Sequence, residues 1–394
     1  MKSFSFLVLP SLAWAANIYV SPTGTNSGDA SITKPLLSIQ SAVNLAVAGD
    51  VIYLRAGTYK PTTNIQIKKS GTSAKPYTLR AYENEVVIID GEALTGTPAA
   101  VGASLANADR GILHIQSANY WKFYGLTLIN GPYGVYHQDS SNNYYERIVT
   151  HDNYETGFQM QGACANNQVV YLDSYMNRDP RKNGESADGF ALKEGSGTGN
   201  QLIGARLWNN VDDGLDLWEF KSAITIKDTI SYGNGVNRWG FTSFEGDGNG
   251  FKLGGGNAGD IGPANHIITN CIAFSNAAKG FTDNSQTGSF TLSENTAWNN
   301  GDVGFKMASS TSTLTNNIAA NNLDTTKSAS QITLTGTQKA SGNSWQDGKT
   351  WTDASFLSVD TKLVSQARAS SGKIPASNFL LPASGSTVGA TTHW

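Results

Sequence analysis

Three short segments between Ser186 and Gly254 share one pattern of polar, glycine and alternating apolar residues. They are Asp188-Gly189-Phe190-Ala191-Leu192, Asp213-Gly214-Leu215-Asp216-Leu217 and Asn249-Gly250-Phe251-Lys252-Leu253. When the segments are aligned on the glycine, apolar residues stand one and three places after it, and a variable residue stands between them. This alternation has the two-residue period of a β-strand with one buried face. We therefore expect three equivalent strands with their apolar residues inward and Ala191, Asp216 and Lys252 outward.

The glycine that precedes these strands recurs along much of the chain, at positions 111, 134, 157, 189, 214, 250, 280 and 304. The spacing indicates a unit of about two dozen residues with insertions, as in solenoid repeats. A second apolar run follows in each unit, and then a polar turn that carries Asn177, Asn210, Asn234, Asn276, Asn300 and Asn322. A β-propeller blade needs about 40–50 residues. The pattern therefore favours an all-β, single-domain parallel β-helix in which the asparagines stack from coil to coil.

The ends of the chain lack the repeat. Residues 38–46 carry apolar residues at helical spacing after Ser38, a favourable N-cap, which predicts a short helix over one end of the solenoid. The repeat is clearest over residues 111–322, and residues 323–394 read as a C-terminal cap or tail that closes the far end. We assign residues 16–394 to one domain.

Composition and the N-terminus bear on location and partners. Residues 1–15 combine Lys2, an apolar run and Ala13-Trp14-Ala15, which predicts a cleaved signal peptide and a secreted, extracellular protein rather than a buried first strand. The formal net charge of -3 makes nucleic acid an unfavourable partner. No other apolar run is long enough to span a membrane. No feature requires an oligomer, so we expect a monomer.

The chain has two cysteines, Cys164 and Cys271. The repeat places them about three coils apart, which is beyond the roughly 7 Å that a disulfide allows between Cα atoms. The sequence therefore predicts two free, buried thiols.

Acidic residues concentrate where the three segments stack. Successive coils rise by about 4.7–4.9 Å, so Asp213 should lie over Asp188, and Lys252 over Asp216, with Asp212 at the same bend. Like charges this close require neutralisation, and Ca²⁺ suits an irregular site of oxygen ligands. The alternative is that these aspartates only form solvated turns. Lys252 would then make no more than an ion pair with Asp216.

These motifs resemble those of polysaccharide lyase family 9. The similarity is carried by Asp188, by Asp212-Asp213-Gly214-Leu215-Asp216 and by Gly250-Phe251-Lys252-Leu253-Gly254, and it extends over most of residues 17–322. The resemblance implies a right-handed parallel β-helix and a pectate lyase or related rhamnogalacturonan lyase. It implies that Asp188, Asp212, Asp213 and Asp216 bind Ca²⁺ and that Lys252 is the Brønsted base. The implied substrate is an acidic plant cell-wall polysaccharide, homogalacturonan or rhamnogalacturonan.

The implied reaction is a β-elimination. Ca²⁺ on the uronate carboxylate acidifies the C5 proton, Lys252 removes that proton, and the C4–O bond breaks to give a 4,5-unsaturated uronate. Because a free lysine has a pKa of about 10.4, an alkaline activity optimum is expected.

Further outward residues are weaker candidates for binding the substrate, and for each an ordinary solvated surface position is the alternative. They are Lys193, Trp218, Arg238, Lys279 and Asn284.

Two other functions fit a β-helix. An inverting polygalacturonase also uses paired aspartates, but the expected Gly-His-Gly and Arg-x-Lys motifs do not occur in this sequence. A non-catalytic sugar-binding β-helix would need no base.

Overall fold

The computed structural model describes residues 15–95, 97, 100–323, 331–335 and 337–394. The predicted signal peptide, residues 1–15, lies outside the described residues except for Ala15, and it therefore stays a prediction.

Three parallel β-sheets make up the body of the molecule. The strands of the first sheet are, in spatial order, β1 (Asn17–Val20), β2 (Val51–Leu54), β5 (Tyr77–Ala81), β8 (Trp121–Tyr124), β11 (Tyr144–Glu146), β14 (Gln168–Val170), β17 (Asn200–Ile203), β20 (Ile224–Lys227), β23 (Ile267–Thr269), β26 (Thr291–Ser293), β29 (Thr313–Thr315) and β32 (Lys339–Ser341).

The second sheet carries the glycine-led strands of the sequence repeat. Its strands are β4 (Ile65–Ile67), β7 (Leu113–Gln116), β10 (Val135–Gln138), β13 (Phe158–Ala163), β16 (Phe190–Ser196), β19 (Leu215–Asp216), β22 (Phe251–Lys252), β25 (Phe281–Thr282), β28 (Phe305–Met307) and β31 (Ile332–Leu334).

The third sheet precedes the asparagine turns. Its strands are β3 (Gly57–Tyr59), β6 (Val87–Asp90), β9 (Thr127–Ile129), β12 (Val149–His151), β15 (Asp173–Tyr175), β18 (Arg206–Trp208), β21 (Ile230–Tyr232), β24 (Ile272–Phe274), β27 (Thr296–Trp298) and β30 (Ile318–Ala320). From β7 onward each coil passes through the second, first and third sheets in turn, so the predicted parallel β-helix is confirmed.

The register within the second sheet follows the glycine alignment of the sequence. Phe190 pairs with Leu215, and Leu215 pairs with Phe251. All three side chains are buried in the core. The glycines are needed because a Cβ atom at Gly214 would lie 1.9 Å from Ser231 Oγ on the next coil.

Aromatic rings stack inside the solenoid at the spacing of the coils. The ring centroids of Phe251 and Phe281 lie 4.6 Å apart, and those of Phe281 and Phe305 lie 4.8 Å apart. The core is therefore one continuous column of apolar residues along the axis, with the strands wrapped around it.

The predicted asparagine ladder runs along the turn between the third and second sheets. From Asn153 to Asn300, each backbone N–H donates to the side-chain oxygen of the equivalent asparagine on the next coil, as Asn210 does to Asn234 at 3.0 Å, and the Asn322 N–H donates to Gln331. Nδ2 of Asn210 donates to the same oxygen, also at 3.0 Å. The ladder comprises Asn153, Asn177, Asn210, Asn234, Asn276, Asn300 and Asn322. It satisfies turn groups that burial removes from water.

A seven-residue helix, α1 (Ile39–Leu45), lies at the N-terminal end, where the sequence predicted it. Ser38 is its N-cap and accepts a hydrogen bond from the backbone N–H of Ser41. Ile39, Ala42 and Val43 face the core. Among the described residues, the remaining helical segments are short 3₁₀ turns at Asn107–Asp109, Pro180–Lys182, Ser344–Gln346, Asp353–Ser355 and Thr361–Leu363.

The C-terminal segment differs from the predicted cap. The solenoid extends beyond residue 322 by β31 and β32, and Trp345 then packs against Phe305 at the end of the core. The rest of the segment runs back along the outer face of the third sheet, where Phe379 packs against Phe274 and Trp298. Apolar residues on that outer face need cover, so the tail protects a flank of the solenoid as well as its end.

Both thiols are free and buried, as predicted from the repeat. No helix in the described part of the chain is long and apolar enough to cross a membrane.

Candidate active site

The predicted acidic residues meet on the outer face of the second sheet. Asp188 precedes β16, Asp212 and Asp213 precede β19, and Asp216 lies within β19. Asp216 pairs with Lys252 of β22. The shared register brings residues that are up to 64 positions apart in the chain to neighbouring coils.

These residues face away from the core, but they are not exposed to solvent. Asp188 and Asp213 have no accessible surface, and Lys252 is 6% exposed. They are covered by two insertions, one between β15 and β16 and one between β21 and β22. The two insertions meet where the Glu245 N–H donates to the Asn183 carbonyl. The alternative of solvated turn aspartates is therefore wrong.

Each aspartate is held by a backbone N–H or by a lysine. Asp213 Oδ1 accepts from the backbone N–H of Asn249 at 2.6 Å and from its side-chain amide at 2.9 Å. Asp212 Oδ1 accepts from the Asp247 N–H at 2.6 Å, and Asp216 Oδ1 accepts from the Trp218 N–H at 3.1 Å. These bonds fix one oxygen of Asp212, Asp213 and Asp216, and the second oxygens of Asp213 and Asp216 face lysine side chains.

Two lysines enter the cluster. Lys193 Nζ lies 2.8 Å from both Asp188 Oδ2 and Asp216 Oδ2. Lys252 Nζ lies 3.2 Å from Asp213 Oδ2 and 3.7 Å from Asp216 Oδ2. The cluster is therefore a compact set of charges of both signs, and Lys252 is in contact with the acids as predicted.

Asp247 is an acidic member of the site that the sequence did not reveal. Its Oδ2 accepts from Lys252 Nζ at 2.8 Å, and its side chain is 56% exposed. It lies in the insertion that makes the β19-to-β22 unit long, outside the repeat pattern. The acidic, glycine-rich run Glu245-Gly246-Asp247-Gly248 is visible in the sequence. Because it lies in an insertion, the spacing of the repeat does not predict where its side chains lie.

Oxygen atoms converge at two points in the cluster. One oxygen each of Asp188, Asp213 and Asp216 lie within 4.8 Å of one another, as do one oxygen each of Asp212, Asp213 and Asp247. Ligands at about 2.3–2.6 Å from one Ca²⁺ ion can lie up to about 5 Å apart, so both groups have a suitable size. Asp213 Oδ2 is buried and accepts no hydrogen bond of good geometry, although Lys252 Nζ lies 3.2 Å away. A buried carboxylate oxygen in that state is suited to a cation.

The charges shift the ionisation of the whole cluster. Burial raises the pKa of Asp213 to about 6, with Lys252 opposing the shift and Asp216 adding to it. Burial and neighbouring carboxylates likewise raise the pKa of Asp188 and Asp212. For Asp216 the two lysines outweigh burial, and its pKa lies below the ordinary value. The raised pKa values show that a further positive charge would stabilise the ionised forms of Asp188, Asp212 and Asp213.

Burial by itself would lower the pKa of Lys252, but Asp216, Asp213 and Asp212 outweigh it and hold the pKa well above its ordinary value. In the protein alone this lysine is therefore an ammonium group.

Three of the weaker substrate-binding candidates line the surrounding cleft in addition to Lys193. Trp218 lies beside Lys252, with Nζ 5.4 Å from the centre of its ring. Lys279 and Asn284 line the adjoining cavity together with Lys306, and Lys279 pairs with Asp302 at 3.1 Å. These placements put the three side chains along the cleft that follows the sheet.

Arg238, the remaining weak candidate, lies elsewhere. Its guanidinium donates to Asn209 at 2.9 Å, beside the turn that follows β18, and it lines neither cavity of the cleft. The position of Arg238 could not be predicted from the repeat spacing, because Arg238 belongs to the same long insertion as Asp247.

Basic residues that the sequence analysis did not single out extend the cleft towards the N-terminal coils. Arg181 pairs with Glu155 at 2.6 Å, and Arg110 lies 5.4 Å from the ring centre of Tyr136. Both arginines line the same cavity as Lys252. The cleft thus has basic residues on both sides of the acidic cluster, interleaved with acidic ones such as Glu155, Glu185, Glu194 and Glu245.

Comparisons with known proteins agree with this architecture. Residues 18–326 match a family model described as the Pel9A-like, right-handed β-helix region. A protein named pectate lyase PEL9 from Emericella nidulans is 64% identical over 96% of this chain and 95% of its own length.

Two solved structures have the same fold. The crystal structure of pectate lyase Pel9A has a TM-score of 0.78 and 29% identity over 95% of this chain and 91% of its own. The structure of a rhamnogalacturonan lyase has a TM-score of 0.80 and covers 95% of this chain and 99% of its own, but at 24% identity it supports the fold alone.

The fold and the close relatives define this protein as a polysaccharide lyase built on a right-handed parallel β-helix. Within that class, the chain belongs to the Pel9A-like β-helix family. The resemblance to polysaccharide lyase family 9 that was inferred from the Asp and Lys motifs is confirmed.

Proposed function

We propose that this protein is a secreted, monomeric pectate lyase that cleaves polygalacturonate by Ca²⁺-dependent β-elimination and leaves 4,5-unsaturated oligogalacturonates. The observation that carries the proposal is the contact of Lys252 with a buried set of stacked aspartates. The names of the related pectate lyases support the substrate class.

Asp188, Asp212, Asp213 and Asp216 would hold the calcium ion. Their donor atoms are all carboxylate oxygens, which hard cations prefer, and Asp213 belongs to both groups of converging oxygens. When bound, Ca²⁺ supplies a Lewis acid that withdraws charge from a uronate carboxylate and makes its C5 proton more acidic.

Lys252 is the proposed base. While no cation neutralises the nearby carboxylates, their negative charge keeps Lys252 in its ammonium form. A bound cation would cancel that charge, and burial, which lowers the pKa of a lysine, would then become the larger effect on Lys252. Neutral Nζ takes the C5 proton, the C5–H electron pair becomes the C4=C5 double bond, and the C4–O bond breaks. The departing oxygen then takes a proton from solvent. An alkaline activity optimum is expected, because neutral Lys252 is required.

The remaining cleft residues bind and orient the chain. Lys306 on one side and Arg110 on the other can pair with carboxylates of a polyuronate, and Lys279 can do so in exchange for Asp302. The residues that line the cleft come from successive coils on the side of the solenoid. Such a groove suits attack within a long chain.

The deciding experiment is the ultraviolet absorbance of unsaturated uronate. Purified protein is given polygalacturonate or rhamnogalacturonan, with Ca²⁺ or with chelator. We expect a Ca²⁺-dependent rise on polygalacturonate and a loss of activity on the order of 10²–10⁴-fold in Lys252→Ala. Lys227→Ala is the matched control, because that lysine is 53% exposed on the first sheet.

The other outcomes each identify another function. A rise on rhamnogalacturonan alone would assign the second substrate, whose lyase shares this fold. New reducing ends without absorbance would indicate hydrolysis, and binding without cleavage would indicate a sugar-binding protein. Full activity of Lys252→Ala would exclude this lysine as the base.

A further inference from the structure

Lys193 occupies a position that a surface lysine does not normally take. Its ammonium group is bound between Asp188 and Asp216, at 2.8 Å from each, and its side chain is 14% exposed. The two oxygens that it contacts are Asp188 Oδ2 and Asp216 Oδ2, and both carboxylates belong to the three-oxygen group that is suited to a cation.

We propose that Lys193 is an exchangeable counter-cation. Its ammonium balances Asp188 and Asp216 in the metal-free protein, leaves them when Ca²⁺ binds, and then binds a substrate carboxylate in the cleft. This inference rests on the proposed function, because it concerns the same metal and the same substrate.

The neighbouring coil position explains how Lys193 reaches the acids. Ala191 lies two residues before it, on the same face of β16, and pairs in register with Asp216. Because Ala191 is the smallest side chain in a row that includes Gln159, Asp216 and Lys252, space remains above it. The Lys193 side chain fills that space and extends back to the bend at Asp188.

The two lysines of the cluster differ in what they contact. Lys252 pairs with Asp213 and with Asp247, and it lies 3.7 Å from Asp216. Lys193 pairs only with members of the three-oxygen group among the residues that the structure describes. A cation that binds those three carboxylates therefore competes directly with Lys193, whereas Lys252 keeps a partner in Asp247.

The displaced ammonium group has a place to go. Lys193 lines the open cleft together with Glu185, Glu194 and Trp218. Rotation about its flexible stem would carry Nζ from the buried acids to the substrate channel beside Lys252. A uronate carboxylate at that point would then take over the pairing that the acids had supplied.

Charge balance predicts the effect on metal affinity. In the wild-type protein, Ca²⁺ must displace the ammonium group of Lys193. When residue 193 is neutral, no ammonium group competes with Ca²⁺ for Asp188 and Asp216. Lys193→Met keeps the length of the side chain and removes its charge. We expect this variant to bind Ca²⁺ about tenfold more tightly or better by titration calorimetry, because a unit charge in direct contact is removed.

Two more readouts separate the exchange from a structural role. In chelator, Lys193→Met should melt at a lower temperature than the wild type, because Asp188 and Asp216 lose their counter-ion. At saturating Ca²⁺ it should show a raised KM for polygalacturonate with little change in kcat. Lys193→Arg keeps the charge and should restore near-normal Ca²⁺ affinity.

A measurement on the wild-type protein covers the case in which Lys193→Met does not fold. With ¹⁵N-labelled lysine, the Nζ resonance of Lys193 should be visible and protected in chelator and should lose that protection on addition of Ca²⁺. An unchanged resonance would overturn the proposal, as would equal or weaker Ca²⁺ binding by folded Lys193→Met.

The same titrations distinguish this inference from the proposed function. If the wild type binds Ca²⁺ and Asp188→Asn does not, while Lys193→Met matches the wild type, the metal site stands and only the exchange is wrong. If the wild type binds no Ca²⁺, the metal site and the exchange are both wrong.

Discussion

Two columns of stacked residues run along the same turn of the solenoid, and they differ in how they satisfy their polar groups. On the coil that leads into β19 they are represented by Asn210 and Asp213, three residues apart. The asparagine column repeats one residue type on seven coils. The second column changes from coil to coil, through Thr156, Asp188, Asp213, Asn249 and Lys279.

The difference follows from hydrogen-bonding capacity. An amide donates and accepts, so each asparagine satisfies the next and the column needs nothing from outside. An ionised carboxylate only accepts, and stacked carboxylates repel one another. The uniform asparagine column therefore stabilises the fold. The second column contains carboxylates, whose negative charge a bound cation can neutralise.

The largest expected effect comes from bringing charge into the neutral column. Asn234→Asp removes the amide that donates to Asn276 Oδ1 at 2.8 Å and buries a carboxylate facing acceptors. We expect a loss of about 3–5 kcal/mol in the free energy of unfolding, measured by urea denaturation. Asn209→Asp is the control, because that half-buried residue accepts from Arg238 and should change stability by about 0.5 kcal/mol or less. Equal stability of the two variants would contradict the account of the ladder.

Acid brings charge into the same neutral interior. Burial lowers the pKa of His137 from 6.5 to about 4, and its two ring nitrogens contact Tyr145 Oη and the Ser140 carbonyl. Between pH 6.5 and about 4, His137 is protonated in the unfolded chain but neutral in the folded protein. Stability is therefore full above pH 6.5 and falls with decreasing pH, by up to about 3 kcal/mol from this residue.

His137→Gln should flatten that dependence in chelator-treated protein, as followed by urea unfolding at several pH values. The slope should shrink rather than vanish, because burial also lowers the pKa of His266 to about 3. An unchanged slope would show that His137 does not titrate on unfolding.

The converse change makes the charged column neutral. Asp213→Asn extends the amide chemistry of Asn249 by one coil, and the fold should persist, with stability in chelator equal to or above that of the wild type. Calcium affinity should fall on the order of 100-fold by calorimetry, because a central ligand oxygen loses its charge. Asp302→Asn, at a half-buried position paired with Lys279, is the control and should retain wild-type affinity.

The smallest expected effect lies in the insertion between the two columns. Arg238→Ala should change KM for polygalacturonate by less than about twofold, since its side chain contacts Asn209 away from the cleft. Lys279→Ala should raise KM by about fivefold, the effect of losing one exposed ion pair of about 1 kcal/mol. Initial rates over a range of substrate concentrations compare the two. Equal increases would mean that the insertion moves Arg238 into the substrate channel.

Local pattern accounts for what the sequence could predict. The two-residue alternation after each glycine located the strands of the second sheet, and the asparagine spacing located the ladder. Because the register of a solenoid is set by its repeat, the glycine spacing was enough to place Asp188, Asp213, Asp216 and Lys252 together. The family-9 motifs then added chemistry to that geometry.

Features outside the repeat could not be predicted in this way. Asp247 and Arg238 lie in one insertion, yet the first contacts Lys252 and the second faces Asn209, and no periodicity distinguishes them. The path of the C-terminal tail depends on which flank of the solenoid offers apolar surface. Arg368 shows this, because it reaches Asp173 on the third sheet across 195 residues of chain.

The sequence by itself determined the β-helix, the stacking of the acids and the position of the lysine that touches them, because each is a consequence of one repeated local pattern. Only the tertiary structure decided that the acids are buried, that Asp247 covers Lys252 and that Lys193 bridges Asp188 and Asp216. Those features depend on how insertions and side chains fill space between coils, which is set by packing across the fold and not by the order of neighbouring residues.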